Sequence, residues 1–268
     1  MKYKLIISDY DGTLGVAPKN DVDSETRAAI KYFTDKGGKF VVCSGRETSS
    51  IMRILKEQKI NGLVASFQGA RITEIESGKT LFNGGLSAET ALEALDAVAG
   101  RGLTPIAYGE SVVYVNEFNP YVERYINAVK LDYVITDVRR EVLEQKNNIT
   151  KVCWLGDDKV VNQAAEELNK KYNGDRLKFN SGATCLLEAI NPKTGKGNAV
   201  RFIADYYGVP LEEVLAIGDS TNDIDLLVGP WHGVAVGDGR EELKAVADEI
   251  TVPFDQKPVK YIIEKYCL

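Results

Sequence analysis

Residues 5–13 read Leu-Ile-Ile-Ser-Asp-Tyr-Asp-Gly-Thr, a short apolar run that ends in two carboxylates, Asp9 and Asp11. An apolar run of this kind is typical of a strand buried in a parallel sheet. Parallel sheets bind their ligands at the carboxyl ends of their strands. Two carboxylates crowded at such an end are unfavourable unless a cation or a shared proton relieves them. The alternative is a simple polar turn, since Asp-Gly often follows a strand.

The segments around this stretch alternate between strand and helix. The sequence predicts helices over 24–35 and 47–59 and strands over 39–43 and 62–67, and the alternation returns from residue 197 onward. Repetition at this spacing indicates βαβ units. We therefore predict an α/β fold with a Rossmann-like parallel-sheet core.

The middle of the chain has a different pattern. Its predicted helices alternate with adjacent strands that fit antiparallel hairpins, which is typical of an α+β domain. We predict a discontinuous core, residues 1–83 and 185–268, that carries residues 84–184 as an inserted domain.

Composition narrows the class of protein. The chain has 268 residues, 44% of them hydrophobic and 27% charged, as in ordinary globular proteins, and its formal net charge is −6. This acidic balance, with no block of basic residues, argues against nucleic-acid and anionic-membrane partners.

The apolar runs are far shorter than the ~20 residues of a membrane-spanning helix. With no secretory h-region at the N-terminus, we expect a cytoplasmic protein, a monomer or weak homodimer.

Histidine and cysteine chemistry is poorly supported. The single histidine, His232, precedes an apolar run and is expected to be structural, which disfavours Ser-His-Asp, Cys-His and HExxH sites. The four cysteines lie far apart in or beside apolar stretches, where cysteine packs as a small hydrophobe. We therefore expect carboxylates, lysine and hydroxyls to carry any catalysis.

Three further polar segments match the first in position. Ser44-Gly45-Arg46 lies between a predicted strand and helix, where a hydroxyl and free backbone N–H groups could bind an anion. The segment 193–197, Lys-Thr-Gly-Lys-Gly, places a lysine between glycines at a helix start, which suits a phosphate. The segment 218–223, Gly-Asp-Ser-Thr-Asn-Asp, brings carboxylates to another strand end. Taken singly, each also fits a helix cap or a solvated linker.

Taken together and in this order, the four segments resemble the haloacid dehalogenase-like superfamily, in particular its Cof-type sugar-phosphatase branch with a large α+β cap. The resemblance covers nearly the whole chain. It implies a Mg²⁺-dependent phosphatase that acts on small phosphorylated metabolites, sugar phosphates above all. Two alternatives stay open: a phosphomutase or phosphotransferase with the same nucleophile, and a non-catalytic phosphosugar-binding protein.

The resemblance also implies residue roles. Asp9 would attack phosphorus, and Asp11 would act as general acid and then base, with crowding by Asp9 and Asp219 helping it to hold a proton. The cation would be held by Asp9, by the backbone carbonyl of Asp11 and by Asp219, with Asp223 as a more distant partner. Phosphate or substrate contacts, with Lys196 also orienting Asp9, would come from Ser44, Gly45, Arg46, Lys196 and Asn222.

One position departs from the family pattern. Gln68-Gly69 follows the third predicted strand, where relatives usually show Asn-Gly, so the resemblance assigns no role to Gln68. The cap would close over the site, with candidate substrate contacts near residues 108–111 and 180–184.

Overall fold

The computed structural model describes residues 1–16, 21–109, 112–129, 131–145, 149–172, 174–183 and 185–267. The chain divides into two compact units, which we call the core unit (Met1–Phe82 and Gly195–Leu268) and the insert (Asn83–Thr194). No helix among the described residues is long and apolar enough to span a bilayer.

The secondary structure of the described residues is numbered along the chain. The strands are β1 (Leu5–Ser8), β2 (Lys39–Cys43), β3 (Leu63–Ser66), β4 (Arg71–Glu74), β5 (Thr80–Asn83), β6 (Thr104–Tyr108), β7 (Val113–Val115), β8 (Tyr133–Ile135), β9 (Lys151–Leu155), β10 (Lys178–Ala183), β11 (Leu186–Ile190), β12 (Val214–Gly218), β13 (His232–Ala235) and β14 (Glu249–Ile250). The helices are α1 (Ser24–Asp35), α2 (Thr48–Glu57), α3 (Ala88–Val98), α4 (Pro120–Val129), α5 (Val138–Gln145), α6 (Asp158–Tyr172), α7 (Lys196–Tyr207), α8 (Ile224–Leu227), α9 (Glu241–Lys244) and α10 (Pro258–Cys267).

The core unit is built on an eight-stranded sheet in the order β14-β13-β12-β1-β2-β3-β4-β5. Neighbours from β14 to β3 run parallel, and β4 then pairs antiparallel with β3. β1 is fully buried because α1, α2 and α10 pack on one face of the sheet and α7, α8 and α9 on the other. The carboxyl ends of β1, β2 and β12 therefore meet at one edge of the sheet. The predicted α/β fold is confirmed.

The insert is an α+β unit with a six-stranded sheet in the order β10-β11-β9-β6-β7-β8. Its pairs are antiparallel except for β7 with β8, and the helices α3, α5 and α6 pack on one face of the sheet around Trp154 and Phe179. Residues 110, 111 and 184, in the turns where we expected substrate contacts, lie outside the described residues.

The second boundary of the insert differs from our prediction of residue 185. β11 pairs with both β9 and β10, so the insert extends through Thr194 and the core unit resumes at Gly195. The sequence pattern itself predicts strands over 177–180 and 185–190 as one antiparallel pair, so a boundary at residue 185 wrongly divided that pair. The sequence also gave no prediction for β4, β5, β8 and α5.

His232 and the buried cysteines contribute to packing. The His232 ring stacks on Tyr3 with centroids 5.5 Å apart, and its Nε2 lies 3.2 Å from Glu249 Oε2. Cys43 and Cys153 are fully buried in sheet strands, and burial raises the pKa of both thiols.

Candidate active site

Three carboxylates cluster at the carboxyl edge of the core sheet, and two of them contact one buried lysine. Asp9, Asp219 and Asp223 each place a carboxylate oxygen within 4.8 Å of the others. Lys196 is fully buried, and its Nζ donates to Asp9 Oδ1 at 2.6 Å and to Asp223 Oδ1 at 2.5 Å. Residues from three distant segments of the chain thus meet: two segments follow strands β1 and β12, and the third begins α7.

Strand pairing and tight turns position these carboxylates. Asp9 extends β1, and its N–H donates to Ile217 O of β12 at 2.9 Å. Asp219 follows β12 directly, and the Thr13 hydroxyl donates to its Oδ1 at 2.9 Å. Gly12 makes this approach possible: its φ is +84°, and a Cβ there would lie 2.5 Å from Asp219 Oδ2. Thr13 therefore has a positioning contact that its place in the first motif did not reveal.

Asp223 is fully engaged within the protein. Its Oδ1 accepts from Lys196, and its Oδ2 accepts from the backbone N–H groups of Asp219 (3.2 Å) and Ser220 (3.0 Å). A carboxylate with both oxygens occupied in this way is suited to fixing the lysine and the turn. Asp9 and Asp219 have fewer contacts of this kind.

Burial dominates the electrostatics of the cluster. It raises the pKa of Asp9 to about 7, against the opposing effect of Lys196, and it also raises the pKa of Asp219. Burial alone would lower the pKa of Lys196, but the attraction of Asp9 and Asp223 holds it above its ordinary value. Three carboxylates against one ammonium leave an excess of negative charge at this edge of the sheet.

The donor set fits a divalent cation. All three acidic side chains offer oxygen, the ligand type that Mg²⁺ prefers, and the excess negative charge would be relieved by a bound cation. Asp9 and Asp219 could hold the ion, with Asp223 behind them.

Asp11 lies apart from the carboxylate cluster. Arg46 holds it in a bidentate ion pair, with Nε to Oδ2 at 2.7 Å and Nη2 to Oδ1 at 2.5 Å, and the same guanidinium lies 5.0 Å from the centroid of the Tyr10 ring. We expected Asp9 and Asp219 to crowd Asp11, and the structure instead pairs it with a cation. The sequence placed Asp11 and Arg46 near one site but gave no sign that they bind each other.

Ser44 contacts the backbone of Arg46, and Gly45 and Asn222 both lie against Gln68. Ser44 is buried after β2, and its Oγ accepts from Arg46 N at 3.1 Å. Asn222 Nδ2 donates to Gln68 Oε1 at 3.3 Å, and Gly45 lies against the same glutamine amide. Gln68 therefore connects two predicted binding segments, a role that the sequence pattern did not assign.

Comparisons with known proteins agree with this arrangement. Residues 6–263 match the family described as haloacid dehalogenase-like hydrolase. The phosphatase YwpJ of Bacillus subtilis is 26% identical over 287 residues, which are 97% of this chain and 99% of YwpJ. The chloroplastic endoribonuclease YBEY of Arabidopsis thaliana is 28% identical over 276 residues, 99% of this chain but 47% of that protein, so the chain spans about half the length of this relative.

The fold also matches that of a solved haloacid dehalogenase-like hydrolase. A crystal structure of a haloacid dehalogenase-like hydrolase from Bacteroides thetaiotaomicron superposes with a TM-score of 0.83 at 26% identity, covering 98% of this chain and 99% of the other. The family match includes all four polar segments that form the site. The chain therefore belongs to the haloacid dehalogenase-like hydrolases.

Proposed function

We propose that this protein is a Mg²⁺-dependent phosphatase that hydrolyses small phosphorylated metabolites, sugar phosphates above all, through an aspartyl-phosphate on Asp9. The observation that carries the proposal is the buried Asp9 carboxylate, fixed by Lys196 at 2.6 Å next to Asp219 and Asp223. The similarity to a Bacillus subtilis protein named a phosphatase supports the reaction class.

Asp9 is the nucleophile in this proposal. Lys196 holds Oδ1, which leaves Oδ2 to attack phosphorus, so that the Oδ2–P bond forms and the bond from phosphorus to the leaving oxygen breaks. Burial, which leaves Asp9 only 5% exposed, keeps water from competing with it. Water then attacks the phosphorus of the aspartyl-phosphate, which releases inorganic phosphate and restores Asp9.

Asp11 donates a proton to the leaving oxygen and later accepts one from the attacking water. Arg46 must release at least one Asp11 oxygen for these transfers, because both oxygens are engaged in the ion pair. An anionic substrate offers Arg46 an alternative partner, which links the release of Asp11 to substrate binding. Arg46 is thus a substrate contact and a positioning residue for Asp11.

The remaining residues bind the phosphoryl group and the metal ion. Ser44 and the Gly45 N–H would hold phosphoryl oxygens, and Asn222 would contact the phosphate or the neighbouring part of the substrate. Mg²⁺, held by Asp9, Asp219 and the Asp11 carbonyl with Asp223 behind them, supplies neutralisation of phosphoryl charge when bound.

The insert is proposed as the cap that supplies substrate selectivity. We further propose a cytoplasmic enzyme, a monomer or weak homodimer, with no nucleic-acid or membrane partner; the formal net charge of −6 supports the last point.

Phosphate release from a panel of sugar and nucleoside phosphates, with and without Mg²⁺, tests the proposal. We expect metal-dependent release that disappears in Asp9→Asn, which keeps the shape of the side chain but removes the nucleophile. Transfer of phosphate to an acceptor without stoichiometric release would favour the phosphotransferase. Tight phosphosugar binding without turnover would favour the binding protein.

A further inference from the structure

The backbone adopts three consecutive left-handed residues directly after β3. The φ angles are +51° at Phe67, +58° at Gln68 and +87° at Gly69. Residues with long side chains seldom adopt this conformation, and it persists only where surrounding contacts impose it. Here the Phe67 N–H donates to Arg46 O at 2.9 Å and the Gln68 N–H donates to Ser44 O at 3.0 Å. The turn is therefore fastened to the proposed phosphate-binding segment.

The Gln68 side chain is exposed and lies between two proposed substrate contacts. Its Oε1 accepts from Asn222 Nδ2 at 3.3 Å. Its Nε2 lies so close to Gly45 that a Cβ built there would come within 2.4 Å of it. Gly45 thus makes room for this amide beside the N–H that is proposed to bind phosphate.

The Nε2 group of Gln68 has donor capacity to spare. Within the described part of the chain it donates no hydrogen bond, whereas Oε1 is engaged by Asn222. A neutral amide donor beside the phosphate-binding groups is suited to a neutral acceptor, such as a hydroxyl or ring oxygen, since the anionic phosphoryl group already has stronger partners.

We propose that Gln68 is a specificity-determining residue. Its Nε2 donates to an oxygen on the carbon adjacent to the one that bears the phosphate, and this hydrogen bond selects polyhydroxylated leaving groups. This inference rests on the proposed phosphatase function. An asparagine would adopt the left-handed conformation more easily, but its amide would end about 1.5 Å short because it lacks one methylene. Glutamine therefore requires a less favourable backbone conformation than asparagine, but its longer side chain brings the amide closer to Asn222 and the substrate.

A matched pair of esters tests this role. Glycerol 3-phosphate and n-propyl phosphate have the same carbon chain with and without hydroxyls, and Gln68→Met keeps the side-chain length while removing the amide. We expect the ratio of kcat/KM for the glycerol ester to that for the propyl ester to fall about 3- to 10-fold in Gln68→Met, as for the loss of one neutral hydrogen bond. Gln68→Asn, which keeps a shorter amide, should give an intermediate ratio.

The possible results distinguish a role of Gln68 in substrate specificity from a purely structural link between loops. An unchanged ratio in Gln68→Met overturns the specificity role. If kcat/KM then falls equally for both esters, Gln68 acts only as a link between loops. Thermal unfolding of the variant checks that the fold is intact. If the wild type releases phosphate from no member of the panel of sugar and nucleoside phosphates in the presence of Mg²⁺, the proposed function itself is contradicted. Turnover of that panel without turnover of glycerol 3-phosphate contradicts only the role of Gln68, because glycerol 3-phosphate carries the oxygen that Gln68 is proposed to bind.

Discussion

Lys196→Met removes the cation that the buried carboxylates share, while the methionine side chain still occupies much of the lysine's volume. The change breaks two hydrogen-bonded ion pairs, of 2.6 and 2.5 Å, and leaves Asp9 and Asp223 buried without them. Removing one partner of a buried ion pair typically costs about 3–5 kcal/mol of unfolding free energy. A domain of this size loses roughly 2–4 °C in Tm for each kcal/mol, so we expect Tm to fall by about 6–20 °C.

The assay is thermal unfolding followed by circular dichroism in the presence of a chelator, so that metal binding does not mask the loss. Lys56→Met is the matched control: Lys56 is exposed on α2, and its substitution should change stability by no more than about 0.5 kcal/mol. The double variant Asp9→Asn, Lys196→Met should recover part of the loss, because one uncompensated carboxylate is gone. A Lys196→Met Tm within about 2 °C of the wild type would refute this account of the cluster.

Three other predictions concern the turn at Gly12, the ion pair between Asp11 and Arg46, and the surface ion pairs of Glu25. Gly12→Ala puts a Cβ against Asp219 in a left-handed backbone, so chemical denaturation should show a loss of about 1–3 kcal/mol, and no loss would contradict the close approach. Arg46→Met removes the partner of Asp11 and a proposed substrate contact, so kcat/KM should fall about 10- to 100-fold; unchanged kinetics would exclude both roles. Lysines at and near the start of α10 lower the pKa of Glu25 from 4.5 to about 2, so its ion pairs stabilise the fold above the unfolded-state pKa and are lost as pH falls toward 2. The Tm deficit of Glu25→Gln should therefore shrink between pH 5 and pH 2, and a constant deficit would count against these pairs.

The sequence predicted where the site lies because strand ends are local signals. Apolar runs followed directly by polar residues placed Asp9, Ser44 and Asp219 at carboxyl ends of parallel strands, and the parallel register then brings those ends to one edge. The lysine between glycines at a helix start was equally visible, and the structure buries Lys196 against Asp9.

The contacts between segments were less predictable. The pairing of Asp11 with Arg46 depends on side-chain directions that no spacing rule gives, since 35 residues separate them. The left-handed conformation of Phe67 and Gln68 follows from hydrogen bonds to residues 44 and 46, not from local preference. The pairing of β11 with β9 joins segments about 30 residues apart, which the strand pattern does not specify.

Binding of beryllium fluoride, a phosphoryl mimic that joins a carboxylate oxygen, tests the central claim without knowledge of the substrate. The measurement is the ¹⁹F NMR spectrum of the protein with Mg²⁺ and beryllium fluoride, compared among the wild type, Asp9→Asn and Asp219→Asn. If Asp9 is the nucleophile in a magnesium site, the wild type shows protein-bound resonances that are absent from both variants. Bound resonances that persist in Asp9→Asn, or no bound resonance in the folded wild type, would contradict the assignment of Asp9.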